Sequence, residues 1–189
     1  MDRLADILTK EFYDKDRLTY LSYETFRFGV QAALEMSAAI LASIIIAVFL
    51  GELLETAIFL LTFGILRSYA GGIHLEKFSH CFVFSTAVML ATILTVKYIN
   101  PTIWTLHLLL VGGILAFYCT EPENDKNRDV DENENIYFKK KLWQSLAFIV
   151  GAYALCVYLG RLHYAFLLSL TVAVTYLLMI LGKIKNGKI

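Results

Sequence analysis

The chain has 189 residues, of which 58% are hydrophobic and only 18% are charged. A soluble domain of this size cannot cover that much apolar surface, because its surface is large relative to its volume. The composition therefore predicts an integral membrane protein and excludes most soluble enzyme folds. Seventeen basic residues balance seventeen acidic ones, and this net charge of zero argues against a nucleic-acid partner.

The first 28 residues carry Leu4, Ile7, Leu8 and Phe12 at helical spacing, with charged residues between them. This pattern predicts an amphipathic helix that lies in the membrane interface over residues 1–28. A helix packed against the rest of the bundle, or against a partner helix, would have the same pattern.

Six apolar stretches follow and predict an all-α fold with six transmembrane helices, since a crossing needs roughly 20 helical residues. They are residues 32–50, 56–66, 81–96, 102–119, 142–159 and 164–181. The second stretch is short and reaches crossing length only if its charged ends, Glu52 and Arg67, are included. A re-entrant hairpin is the alternative for this stretch.

The distribution of basic residues favours six crossings with both termini in the cytosol, because cytosolic loops carry an excess of Lys and Arg. Six crossings place 15 of the 17 basic residues inside and leave only Lys97 and Arg161 outside. If the second stretch does not cross, 7 lie inside and 10 outside. We therefore predict one membrane domain over 1–189, with its first four spans in 32–119 and its last two in 142–182. Residues 120–141 form a charged cytosolic loop.

The candidate catalytic residues lie in residues 67–81, between the second and third spans. Cys81 opens the third span, where the positive end of a helix favours thiolate over thiol. His74 is a candidate base, but seven helical residues would separate it from Cys81 by about 10.5 Å, whereas a base must come within about 3 Å. The dyad therefore requires a bend, which Gly71 and Gly72 would allow.

Each of these residues also has a simpler interpretation. Cys81 is a small apolar filler, His74 an interface residue, the glycine pair a turn, and Arg67 a positive-inside anchor. Two other pairs, Cys156 with His163 and His107 with Cys119, are interpreted as structural. His74, Glu76, His80 and Cys81 are all metal-ligand types, but their spacing matches no compact zinc motif, so no metal and no cofactor are predicted.

Two other classes of protein fit the same spans. One is a non-catalytic membrane scaffold, in which the charged loop recruits partners. The other is a small transporter with Glu35 in its path, because a carboxylate inside a span is costly unless it faces the bundle interior or water.

The motif Arg67…Gly71-Gly72-Ile-His74-(six residues)-Cys81 resembles the signature of the accessory gene regulator B (AgrB) family. The resemblance extends to the length, the amphipathic N-terminal segment, the six apolar stretches and the charged loop that opens near a proline. Family members are bacterial membrane cysteine endopeptidases that process peptide pheromone precursors in quorum sensing.

The resemblance implies that His74 and Cys81 are catalytic. The substrate would be a short AgrD-like precursor with an amphipathic helix and an acidic tail, cleaved at the cytosolic face of the bacterial cell membrane. The peptide would remain on Cys81 as a thioester until an internal Cys or Ser closes a thiolactone or lactone ring. The resemblance also implies a homodimer in contact with membrane lipid.

Supporting roles are assigned to further residues of this loop and of the charged segment. The amides of Gly71 and Gly72 are candidates for stabilising the oxyanion. Arg67 holds the substrate's tail or orients the loop, and Glu76 or Ser79 orients His74. The candidate tail-binding cations are Lys139, Lys140 and Lys141. One departure is the acidic segment that begins at Thr120, where the family is more basic, so substrate choice is expected to differ.

Overall fold

The computed structural model describes residues 2–13, 22–72, 78–120 and 132–187. All regular secondary structure in these ranges is α-helical, which confirms the predicted all-α class. The helices are α1 (Asp2–Tyr13), α2 (Tyr23–Leu50), α3 (Leu53–Ala70), α4 (Phe78–Tyr98), α5 (Ile103–Tyr118), α6 (Glu132–Tyr158) and α7 (Leu162–Lys185).

Five of these helices, α2, α3, α4, α6 and α7, are long and apolar enough to cross a membrane. Helix α5 is apolar but has 16 residues. At 1.5 Å per residue it is about 24 Å long, which is less than the roughly 30 Å of a hydrocarbon core. Four of the six predicted apolar stretches lie within a helix, whereas 102–119 extends past α5 by one residue at each end and 142–159 extends past the end of α6 by one residue. Five of the six helices have the length of a crossing.

The short second stretch is part of one continuous helix. Helix α3 runs for 18 residues, from Leu53 to Ala70, without a turn inside it. It therefore includes Arg67, as the crossing hypothesis requires, and it is not the hairpin considered as the alternative.

Two predicted boundaries differ from the structure. The N-terminal segment 1–28 contains two helices, because α1 ends at Tyr13 and the hydroxyl of Ser22 caps α2 by accepting from the backbone N–H of Thr25 (3.2 Å). The segment 120–141, predicted as a loop, is helical from Glu132 onward. Aromatic packing explains the second difference, since the ring of Phe138 contacts that of Tyr69 on α3 (centroids 6.4 Å apart).

The chain forms two compact units, Met1–Gly51 and Glu52–Ile189. In the first, α1 packs on α2 through an ion pair between Arg27 and Asp6 and through contacts of the Tyr13 ring with Tyr23 and Phe26. Helix α1 thus packs on a neighbouring helix, one of the alternatives considered above, whereas Ile7 of its apolar pattern is 61% exposed.

In the second unit, α7 is the central helix and contacts α3, α4, α5 and α6. In its apolar stretch 61% of the residues are buried, against 22% in each of α3, α4 and α6. The hydroxyls of Ser169, Thr171 and Thr175 donate to backbone carbonyls three or four residues earlier in the same helix. The helix can therefore bury these polar side chains without leaving their donors unpaired.

The two ends of this unit are chemically different. At one end, where α3 and α7 begin and α4 finishes, Glu52 pairs with Lys97 and Glu55 with His163 (both 3.4 Å). We call this the Glu52 end. At the other end, α3 finishes at Gly71 and α4 begins at Phe78. This Gly71 end contains the candidate site.

Candidate active site

The first glycine of the pair terminates α3. Gly71 has φ 76° and ψ −158°, and its N–H donates to the carbonyl of Arg67 (3.0 Å). This backbone region is populated almost only by glycine. The chain therefore leaves the helix at a sharp angle, and the Gly71 amide is already used in the cap. The oxyanion role of the Gly71 amide stays a prediction, and in this structure that amide donates to the helix end.

The second glycine lies against the side chain of Arg67. Gly72 has φ 153°, and a Cβ placed on it would lie 3.4 Å from Nη1 of Arg67 and 3.7 Å from the carbonyl oxygen of Leu178 on α7. The guanidinium carbon of Arg67 also lies 5.7 Å from the centre of the Phe63 ring, within cation–π range. The guanidinium therefore lies over the Phe63 ring and occupies the space that a side chain at position 72 would enter.

Cys81 lies in the first turn of α4, where it is partly buried and has a free thiol. The Arg67 guanidinium interacts with it electrostatically. Backbone N–H groups in a first helical turn have no partner within the helix and give that end a partial positive charge. The thiol therefore lies at the N-terminal end of a helix and within electrostatic range of the Arg67 guanidinium.

Two of the predicted site residues, His74 and Glu76, lie outside the described residues, so the proximity of His74 to Cys81 stays a prediction. Ser79 and His80 are exposed on the first turn of α4, next to Cys81. Ser79 is therefore at the site, although nothing in the described part of the chain assigns it a partner role.

The three predicted tail-binding lysines lie on the first half of α6. Lys139 and Lys140 are exposed, whereas Lys141 is partly buried, with its Nζ 5.6 Å from the centre of the Tyr137 ring. The contact between Phe138 and Tyr69 brings this part of α6 to the Gly71 end. The structure thus places the lysines at the same end of the unit as Arg67 and Cys81.

One family model, described as Accessory gene regulator B, matches residues 1–181. The chain belongs to the accessory gene regulator B family. Neither the curated proteins nor the solved structures give a significant match. Family membership and the apolar helices together make it a membrane protein of a quorum-sensing system, involved in the processing of a precursor peptide.

In this AgrB-family chain, two cysteine–histidine pairs were interpreted as structural, and each histidine contacts a residue other than its paired cysteine. Nε2 of His163 pairs with Glu55 (3.4 Å), and Cys156 lies on a groove described below. Nδ1 of His107 lies 2.6 Å from the hydroxyl of Tyr153, which joins α5 to α6. These contacts agree with the structural interpretation of His163 and His107.

A group of side chains at the Glu52 end was not foreseen from the sequence. The ligand atoms of Glu52, Glu55 and His163 lie within 4.8 Å of one another and have the types that bind metal ions. Lys97 pairs with Glu52, and the hydroxyl of Tyr164 hydrogen-bonds to Glu55. Protein partners therefore already engage both carboxylates.

Two neighbours of the site in this AgrB-family chain were not predicted from the sequence. Phe63 lies under the Arg67 guanidinium, and the carbonyl of Leu178 lies near Gly72. The first could have been found, because residues four apart lie on the same face of a helix and Phe63 precedes Arg67 by four. The second could not, since the approach of α7 to the end of α3 depends on the packing of the whole unit.

Proposed function

We propose that this protein is a membrane cysteine endopeptidase that removes the C-terminal tail of a short pheromone precursor and promotes cyclisation of the remaining peptide. The observation that carries the proposal is the position of Cys81 in the first turn of α4, within electrostatic range of the Arg67 guanidinium, which lies over the Phe63 ring. Family membership supplies the substrate class, a precursor peptide of the accessory gene regulator system.

In the first step His74 takes the proton of Cys81, and the thiolate attacks the carbonyl carbon at the boundary between pheromone segment and tail. The C–N bond then breaks, His74 returns the proton to the departing amine, and the tail leaves. The pheromone segment stays on Cys81 as a thioester. In the second step a Cys or Ser side chain of the peptide attacks this thioester, the ring closes, and the Cys81 thiol is regenerated. No oxidant, cofactor or metal is required.

Arg67 and Gly72 are proposed to stabilise the two negatively charged species of these steps, the thiolate and the oxyanion. The Arg67 guanidinium stabilises the thiolate before the attack, because opposite charges attract strongly where water is scarce. The amide of Gly72 is the candidate oxyanion donor, since that of Gly71 is bonded to the carbonyl of Arg67. Glu76 or Ser79 orients His74.

The three lysines of α6 are proposed to attract the precursor's acidic tail. Lys139 and Lys140 are exposed, and the segment lies at the same end as Cys81. Their contribution is expected to weaken as salt concentration rises, because exposed charges are screened over about 8–10 Å at physiological ionic strength.

The proposal includes an orientation in the bacterial cell membrane. The cations of α3, α6 and α7 near the Gly71 end are Arg67, Lys139, Lys140, Lys141, Lys183 and Lys185. The positive-inside tendency therefore supports a cytosolic site in a six-crossing topology with cytosolic termini. A homodimer is the proposed assembly.

The deciding experiment reconstitutes the purified protein in lipid vesicles with a precursor peptide that has a central Cys and an acidic tail. We expect tail release by the unaltered protein and none by Cys81→Ala. Cys119→Ala and Cys156→Ala are matched controls and should retain release. A hydroxylamine-sensitive adduct should be visible by mass spectrometry, heavier than the protein by the mass of the precursor part N-terminal to the cleaved bond, less one water.

The role of His74 as the base is tested with a matched pair of variants. His74→Ala should reduce tail release by at least a hundredfold, because general base catalysis contributes about 10²–10⁴ in rate. His80→Ala, which changes the exposed histidine next to Cys81, should leave the rate within a few fold. Tail release that survives Cys81→Ala would refute Cys81 as the nucleophile, and no release by the unaltered protein would favour a scaffold. Peptide uptake abolished by Glu35→Gln alone would favour a transporter.

A further inference from the structure

A groove of about 790 Å³ runs along the second unit between α3 and α6, with α7 at its base. Helix α3 contributes residues at successive turns, Leu54, Ile58, Leu61 and Ile65, which form a stripe on one face. Helix α6 contributes Phe148, Ile149, Ala152 and Cys156 in the same way. The groove is therefore formed by two apolar helix faces.

The groove is open to the surroundings of the bundle along its length. Leu61 is 66% exposed and Phe148 is 73% exposed, although both line it. From Lys141 to Cys156 the α6 side covers 15 residues, or about 22 Å of helix. This distance is about two-thirds of the roughly 30 Å hydrocarbon thickness of a bilayer.

The polar residues of the groove are gathered at its Gly71 end, apart from Thr62, Cys156 and Tyr164 further along. Tyr69, Lys141, Gln144 and Ser145 line that end, and none of the described lining residues is acidic. The Nζ atom of Lys141 lies 5.6 Å from the centre of the Tyr137 ring, which does not line the groove, so the ammonium lies at the rim of this end. The site therefore combines an apolar trough with a cationic, hydrogen-bonding end.

We infer that this groove binds an anionic phospholipid, with its acyl chains along the trough and its phosphate at Lys141. An extended peptide would leave its backbone groups without partners against the apolar faces. Acyl chains have no backbone groups that need partners, and the single charge that lines the polar end matches one phosphate. A protein helix laid into the open groove is the other occupant, and the experiment below distinguishes it.

The test measures quenching of a tryptophan in the groove by brominated lipids. Phe148→Trp is introduced after Trp104→Phe and Trp143→Phe, and the full chain is reconstituted in phosphatidylcholine vesicles. Either brominated phosphatidylglycerol or brominated phosphatidylcholine is then titrated in. We expect half-maximal quenching at an about fivefold lower fraction of the anionic lipid, since one basic residue near an anionic surface contributes about 1 kcal/mol.

Matched variants on α6 separate the site from general contact with lipid. Lys141→Gln should abolish the preference for phosphatidylglycerol, whereas Lys140→Gln, which removes an exposed charge one position away, should keep it. Ala152→Phe fills the trough and should reduce quenching by both lipids. Ala147→Phe, on the same helix but outside the lining, should not.

Three outcomes would overturn the inference. Equal quenching by the two lipids means that the tryptophan meets only unselected bilayer lipid. An equal loss of preference in Lys141→Gln and Lys140→Gln means that the attraction is a property of the whole basic segment. No quenching by either lipid, in protein whose thermal unfolding is intact, means that a protein segment covers the groove.

Discussion

At the scale of single residues, the candidate site depends on two glycines that have different functions. Gly71 adopts a backbone conformation that is nearly exclusive to glycine, and Gly72 leaves room for the guanidinium of Arg67. The Arg67 side chain, which interacts electrostatically with Cys81, thus lies next to the glycine pair. Substitutions at the pair should therefore affect the chemistry through the position of Arg67.

The residue-scale prediction concerns Gly71→Ala. A side chain at φ 76° and ψ −158° costs about 1–3 kcal/mol, and relief of this strain shifts the backbone at Gly72, next to Arg67. We expect precursor cleavage to fall about tenfold or more, measured as tail release in vesicles at saturating peptide. The thermal unfolding midpoint should fall by a few degrees.

The control for this substitution is Gly64→Ala, on the same helix. A Cβ at Gly64 would meet no atom within 4 Å, and alanine is favoured over glycine in a helix by up to about 1 kcal/mol. Cleavage should be unchanged and stability equal or slightly higher. If Gly71→Ala cleaves as fast as Gly64→Ala, the position of Arg67 does not matter to the reaction.

At the scale of the helices, composition and charge predicted much of what the structure contains. Every predicted apolar stretch corresponds to a helix, to within one residue where the stretch is the longer, because a run of apolar residues in lipid must satisfy its backbone internally. The start of α6 was not predicted, since residues 132–135 read as polar loop and only the contact of Phe138 with Tyr69 shows why the helix begins early. Such contacts depend on which helices become neighbours, and a single sequence does not contain that information.

The helix-scale prediction concerns the packing of α5 on α7. A Cβ at Gly113 would lie 2.8 Å from Cγ1 of Val172, a buried and conformationally stiff side chain. Gly113→Ala should therefore destabilise the protein by about 1–3 kcal/mol through overpacking. Thermal unfolding in detergent should show a midpoint lower by about 2–4 °C for each kcal/mol.

A second-site change tests whether this contact is the cause. Val172→Ala removes the methyl groups that the new Cβ meets, so the double variant should be more stable than Gly113→Ala alone. Gly112→Ala, where a Cβ meets nothing within 4 Å, should unfold near the midpoint of the unaltered protein. Failure of Val172→Ala to restore stability would locate the close approach of α5 and α7 elsewhere.

At the scale of the whole molecule, the open question is how many helices cross the membrane. Helix α5 has 16 residues and is shorter than a hydrocarbon core by about 6 Å, a mismatch that a bilayer can accommodate by thinning. The sequence favours a crossing, because only then do nearly all the basic residues lie on one side. The two ends of the Glu52–Ile189 unit should therefore face opposite compartments.

This topology predicts which single cysteines react with a membrane-impermeant maleimide in intact cells. In a chain lacking Cys81, Cys119 and Cys156, we expect Asn100→Cys to react from outside, because it lies in the exposed connection between α4 and α5. Lys139→Cys, exposed at the Gly71 end, should react only after the cells are permeabilised. If α5 does not cross, both cysteines react under the same condition. If α3 fails to cross while the later helices do, the pattern inverts, Lys139→Cys reacts in intact cells, and a cytosolic active site is excluded.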